Sequence, residues 1–376
     1  MSKPMPARLI RVTAIPVVVL LLAAAGAVVA APAGAAGPTN GKVAFARDPD
    51  GAGDLFTMNP DGTGLAHIGN GENIKFSPTG TRVSFACPNG DHVAVCTANP
   101  DGTGLTHVVP KTGGLSDPPT DFYPNAWSPD GQLLLIDGGA GLSDIGVGIY
   151  TMRPDGTHVT RVTSSATEQI PYGFSADQSK ILFLQTNPDG SNDLFVIRAD
   201  GTGLTRLNPP TVTLDCCLPP QARWSPDGRS IVFEGFAAGS GGGSGTALYT
   251  VRPDGSHLQR ITALGRNAIQ PAWSPDGSWI AFVSYGGFGW PSLELVHPDG
   301  TGQHKVTSPS AGFASDPVWS PDSTQLLISA TVQFAAQKKQ FQFHLWRMRL
   351  DGSGLVQLTD APQFDEAQDW GVSPTA

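Results

Sequence analysis

From about residue 40 onward the chain is a succession of short apolar runs separated by clusters of turn-forming residues. Runs at 43–47, 83–87, 133–137, 181–186, 231–236, 280–285 and 326–331 are apolar at nearly every position. These runs read as one strand of each repeating unit. Each run is followed by a strand-like segment with apolar alternation, such as 193–198 (DLFVIR) and 247–252 (ALYTVR). A shorter, more polar run comes next, as at 204–207 and 258–262. A fourth strand in each unit leads into an aromatic residue that opens a turn motif.

Two turn motifs punctuate these strands. Trp-Ser-Pro-Asp-Gly is intact at 127–131, 224–228 and 273–277, with degenerate copies from Phe76, Phe174, Trp319 and Trp370. Successive copies lie 51, 47, 50, 49, 46 and 51 residues apart. The second motif, Asn/Arg-Pro-Asp-Gly, ends at Gly62, Gly102, Gly156 and Gly255, with variants ending at Gly201, Gly300 and Gly352. Pro presets φ for a turn, Asp tolerates the next position, and Gly takes the left-handed residue that closes a hairpin. A period near 50 with two internal turns is the mark of a propeller. The expected fold is therefore all-β: a seven-bladed β-propeller of four-stranded antiparallel blades. The segment around Trp370 would supply the first blade's missing strand and close the ring. Six blades and a stray hairpin is the alternative, because the unit between Phe76 and Gly102 is the least regular.

Composition narrows the classes further. Gly (46) and Pro (33) make 21% of the 376 residues, charged residues only 15%, and hydrophobic residues 40%. Gly and Pro cost about 1 and 3 kcal/mol in a helix interior, which excludes coiled coils and helical solenoids. The apolar content excludes a disordered chain. A net charge of −9 argues against a nucleic-acid partner.

The start of the chain reads as an address. Lys3, Arg8 and Arg11 precede an uncharged apolar run at 12–31 that exits through small residues. This is the pattern of a secretory signal peptide, expected over residues 1–36, with a single propeller domain over 37–376. Its removal would take the net charge from −9 to −12. The expected product is exported (periplasmic, cell-wall associated or secreted), monomeric, and without a membrane span once the signal is gone. In an oxidising compartment, Cys87 and Cys96, which flank an Asn89-Gly90 turn, are candidates for a hairpin disulfide. The adjacent Cys216 and Cys217 would form a vicinal disulfide or stay as thiols.

The linked motifs WSPDG and (N/R)-P-D-G-T-G-L, repeated over residues 41–374, resemble the WD-like repeats of TolB propellers. The resemblance implies a propeller and export. It departs from TolB in two ways: TolB resembles an α/β domain followed by a six-bladed propeller, whereas here no residues remain for that domain and seven units are counted.

Motifs for chemistry are sparse. No G-x-S-x-G elbow, H-E-x-x-H or P-loop stands in a supporting context. His67, His107 and His304 share a repeat position filled elsewhere by Arg161, Arg206, Arg260 and Gln357, which reads as a solvated outer strand. Asp48, Asp50 and Asp54 space oxygen ligands around a glycine, so calcium is the one cofactor the sequence admits. They lack the distal bidentate Glu, and an acidic hairpin turn is the favoured reading.

One rim of the ring would carry the short Pro-Asp-Gly turns and the other the long, dissimilar loops. Function is expected on the variable rim, since loops on a rigid scaffold carry binding. Asp121, Tyr123, Tyr172, Trp290, Asp316 and Asp365 are the candidate binding residues there. The expectation is an exported, non-catalytic scaffold binding a protein or cell-envelope ligand. The alternative is a polysaccharide lyase or glycosidase at the central channel.

Overall fold

The computed structural model describes residues 38–374, except 49–52, 113–119, 140–147, 164–166, 215–220, 238–244, 286–290, 307–310, 333–342 and 361. The expected signal peptide, Asp50, Cys216, Cys217 and Trp290 lie outside the described residues. No described helix is long and apolar enough to cross a membrane.

Strands pair into seven four-stranded antiparallel blades. The first joins Asp365–Val372, Asn40–Arg47, Gly53–Met58 and the start of Ala66–Phe76, in that hydrogen-bonded order. The second takes the end of that same long strand with Val83–Asn89, His92–Ala98 and Thr106–Val108. Blades three to seven begin on the inner strands Asp121–Trp127, Gln169–Phe174, Ala222–Trp224, Ala268–Trp273 and Ala311–Trp319. Neighbouring inner strands touch in cyclic order, the last meeting Asp365–Val372, so the ring is closed.

The apolar runs explain why blades stack. Alternate residues of one strand face opposite neighbours. Val43 and Phe45 pack on Leu327 and Leu345 of blade seven, while Ala44 and Ala46 pack with Ile74 and Phe85 of blade two. Seven apolar clusters result, one between each pair of adjacent blades. Burying each large side chain stabilises the ring by roughly 1.5–3 kcal/mol, which is why these strands tolerate almost no polar position.

The two motifs are small hydrogen-bonded devices. Ser128 Oγ donates to Asp130 and accepts from the Leu133 amide, while Asp130 also accepts from the Gln132 amide. Ser225 and Asp227 repeat the arrangement. In the second motif Asp61 accepts both the amide and the hydroxyl of Thr63, and Asp101, Asp155, Asp200 and Asp299 do the same with their Thr. The motif tryptophans lock blades together. The indoles of Trp127, Trp224 and Trp319 donate to Lys75 O, Gly173 O and Ala272 O of the preceding inner strand.

Three local features depart from the sequence expectation. The outer strands are mostly two residues long, as Thr205–Arg206 and Gln259–Arg260 show. No loop separates blades one and two, because Ala66–Phe76 serves both. The inner strand of blade five is interrupted: Val212–Thr213 and Ala222–Trp224 both pair with Ile231–Ala237.

Candidate functional site

The seven inner strands line a central channel, and their irregularities shape it. Register shifts fall between Glu72 and Lys75, Pro124 and Ala126, Pro171 and Gly173, Ile269 and Ala272, and Ser315 and Val318. A sixth sets Gln368 out of the closing strand's pairing. A bulge inserts one residue and re-aims a side chain, and bulges concentrate at barrel rims and sites. Asn73, Gln270 and Asp316 take left-handed φ of 59°, 55° and 51° at these bulges. Non-glycine residues hold that conformation only where their surroundings fix it. Here they do. The Gln270 amide N–H donates to Glu234 (2.6 Å), its side-chain NH₂ to Asp316 (2.7 Å), and its side-chain oxygen accepts the Asp316 amide (3.1 Å). Asn73 Nδ2 donates to Pro124 O of the next blade (2.8 Å).

A cavity of about 670 Å³ opens at these bulges and extends to Pro226, Pro275 and Pro321 of the Ser-Pro turns. A second of about 490 Å³ adjoins it, sharing Asn73, Lys75, Gln221, Arg223 and Asp369. Among the described residues, then, the cavities lie on the ring axis and reach the short-turn rim. The sequence pattern points first to the opposite rim, with the central channel as the alternative.

Charges inside the channel are poorly hydrated. Burial lowers the Lys75 pKa; the Asp369 charge opposes this and the Arg223 charge adds to it. Arg223 is likewise lowered, by burial. Asp369 and Asp316 are raised by burial. Asp137, behind Asn125, is pushed by burial up to about 7, with Glu168 and Glu72 adding repulsion. Its carboxylate accepts Asn125 Nδ2 at 2.8 Å.

The candidate residues separate under this geometry. Tyr172 and Asp316 line the channel, and the Arg223 guanidinium lies 6.0 Å from the Tyr172 ring centre. Tyr123 is partly buried, its pKa raised by burial and by Asp121. Asp121 and Asp365 are not exposed rim carboxylates. Asp121 is 3% exposed and accepts the Val93 amide, with His92 at 3.5 Å. Asp365 is fully buried in an ion pair with Arg47 (2.7 Å). Both positions begin an inner strand, where a carboxylate can satisfy the neighbouring blade or strand instead of solvent.

Asp48 accepts the Phe364 amide, and Asp54 meets His67 and Asn70. Cys87 and Cys96 are disulfide-bonded across their hairpin, with His107 Nδ1 3.8 Å from Cys87 Sγ. His67, His107 and His304 lie exposed on outer strands. His92 and His344 sit in blades two and seven and do not meet.

Lys75 and Arg223 were missed. The residue just before each motif aromatic reads Lys75, Ala126, Gly173, Arg223, Ala272, Val318 and Asp369. Charge at three copies of an otherwise small or apolar repeat position was the available signal.

No protein-family profile matches the chain. The Tol-Pal system protein TolB of Desulfosudis oleivorans is 32% identical over 130 residues, covering 34% of this chain and 27% of that protein. The TolB homolog of Chlorobium luteolum is 30% identical over 170 residues, or 42% and 35% of the two chains. The chain thus spans about a third of the length of these relatives. Among solved structures, the propeller domain of the Pyrococcus furiosus trilobed protease superposes with a TM-score of 0.61 at 14% identity, covering 86% and 96% of the two chains. TolB from Acinetobacter baumannii gives 0.52 at 16% identity (88% and 82%). Oligogalacturonate lyase from Vibrio parahaemolyticus gives 0.57 at 13% (85% and 84%). At such identities these structures speak to fold alone. Together with the linked repeat motifs and the closed ring of blades, they show a β-propeller whose repeats are similar to those of TolB.

Proposed function

We propose that this protein is an exported, non-catalytic binding scaffold that holds a protein or cell-envelope ligand at the propeller axis and its surrounding loops. The observation that carries the reading is the channel itself. Bulged inner strands hold Asn73, Gln270 and Asp316 in a conformation that costs free energy, against a cavity of about 670 Å³. Three such residues converge on one cavity, and conformations of this kind cluster where a site is pre-organised. The relatives named for the Tol-Pal system support a protein ligand and an envelope location. The expected form is a monomer, because the closed ring leaves no inner strand unpaired.

Photo-crosslinking tests this. A photoreactive residue at Gln368 in the channel should trap one envelope partner, and the same residue at Gln259 on an outer strand should not. Equal trapping at both places would overturn the reading. Release of unsaturated products from acidic or neutral glycans would favour a polysaccharide lyase instead.

A further inference from the structure

We propose that the axial channel is an anion site, in which Arg223 and Lys75 receive the carboxylate of an acidic residue in a peptide segment of the partner. The proposal rests on the binding function above and names its ligand chemistry.

Of the five N–H donors of a guanidinium, Arg223 uses Nη1 on Ala222 O and Nη2 on Gln221 Oε1, both at 2.9 Å. Of the three on an ammonium, Lys75 spends one on Gln368 O (2.9 Å). Neither cation is ion-paired among the described residues. The carboxylates around them each accept hydrogen bonds from the protein. Asp369 accepts the amides of Phe76 (2.7 Å) and Trp370 (2.9 Å), one on each oxygen. Asp316 accepts Gln270 Nε2 on one oxygen and Ser315 Oγ on the other, both at 2.7 Å. Glu234 is held by the Gln270 amide, and Glu366 has its own partner. The channel therefore offers unspent positive donors, and its own acids are already engaged.

Placement adds to this. Lys75 belongs to blade two and Arg223 to blade five, three blades apart on a seven-membered ring, so the two face one another across the axis. Both line both cavities. Burial lowers the pKa of each, with Asp369 and Glu366 opposing the shift at Lys75 and Tyr172 and Glu234 opposing it at Arg223, so both are cations held largely out of water. Arg223 is flanked by the Tyr172 ring and Gln221, which would hold its fork flat for a bidentate carboxylate.

The wall chemistry favours a peptide over a polyuronate. Asn73, Gln221 and Gln270 present amides that can match peptide N–H and C=O groups. Glu366, Asp369 and Asp316 line the same cavity, with Glu72, Asp137 and Glu168 beyond, in a chain of net charge −9. A repeating polyanion would meet that repulsion at every unit, whereas a single carboxylate flanked by neutral groups would meet it once, beside Arg223 and Lys75.

Fluorescence anisotropy on the full chain tests the proposal with a labelled neutral pentapeptide carrying a central Glu, its Gln counterpart, and trigalacturonate as competitor. The Glu peptide should bind at least about tenfold tighter than the Gln peptide, since a charge-assisted hydrogen bond is worth about 1.5–3 kcal/mol. Arg223→Met and Lys75→Met should each erase that preference, and Arg223→Lys should keep part of it. The melting temperature of Arg223→Met should stay level or rise, because an uncompensated buried charge is removed. A drop there, with binding intact in Arg223→Lys and Lys75→Met alike, would make Arg223 structural and overturn the proposal. Equal affinity for Glu and Gln peptides, or displacement by trigalacturonate with no peptide binding, would overturn it as well. If the Gln368 crosslink forms equally in wild type and Arg223→Met, the anion site fails while the binding function stands. If no crosslink forms, the binding function fails first.

Discussion

Asp365 and Asp137 are both carboxylates drawn out of water, and their surroundings give them opposite effects. Asp365 is fully buried but met by Arg47, whose guanidinium also lies 4.9 Å from the Phe56 ring centre. Removing one partner of such a pair strands the other, so Asp365→Ala should cost about 3 kcal/mol, read as a lower denaturant midpoint. Asp137 has Asn125 and a backbone amide for support but no cation, and burial raises its pKa from 3.8 to about 7. A carboxyl whose folded pKa exceeds its unfolded one is protonated in both states at low pH and contributes no penalty there. The penalty grows as pH rises through that interval and is full above about 7. Asp137→Asn should therefore leave the melting temperature unchanged near pH 3.5 and raise it by roughly 2–4 °C at pH 8. A gain of equal size at both pH values would refute this account. The turn aspartates have the reverse sign: Asp177, held by Ser175 and the Ser179 amide, falls to about 2. Its contribution is complete above its unfolded value and fades as acid approaches the folded one.

Among the described elements, the hairpin Val83–Asn89 to His92–Ala98 is covalently closed, through Cys87 and Cys96. It belongs to the unit whose motifs are weakest, where Thr79 replaces the turn aspartate and bonds Thr81 instead. A cross-link there restrains the unfolded chain, so reduction should lower stability by about 2 kcal/mol, seen as a shifted urea midpoint with reductant. An unchanged midpoint would show that the blade needs no staple. The inner and middle strands were legible because double-sided burial leaves continuous apolar runs; 181–186 and 231–236 differ from the observed strands by one residue at most. Outer strands such as Gln259–Arg260 were overestimated. Exposed on one side and paired on one edge, they have little energetic reason to persist, and sequence carries no clear record of where pairing stops.

At the scale of the whole molecule, closure holds the ring. Asp365–Val372 pairs with Asn40–Arg47, Trp370 Nε1 donates to Gly41 O, and Ser373 Oγ donates to Asn40 O. Gly80 is the tightest point of the seam: at φ 67° it lies directly against Val372 O, leaving no room for a Cβ. Deleting residues 364–376 would bare the edge of Asn40–Arg47 and uncover Val43 and Phe45, an open edge that templates association. The truncated chain should lose its single cooperative melt and elute as larger species in size-exclusion chromatography. A monomer with an unchanged melt would show that closure is dispensable.

The sequence by itself determined the unit, the turns and the number of repeats. These depend on local chemistry: Pro and Gly dihedrals, a Ser or Thr bonding a nearby Asp, and apolar periodicity. It also marked Tyr172 and Asp316, which do line the channel. Only the tertiary structure decided that Asp121 and Asp365 are spent on their own neighbours, that Lys75 and Arg223 face one another, and that Gln270 and Asp316 hold each other in place. Those relations join residues 28 to 318 positions apart. They arise from ring closure and bulge geometry, which no window of sequence spans.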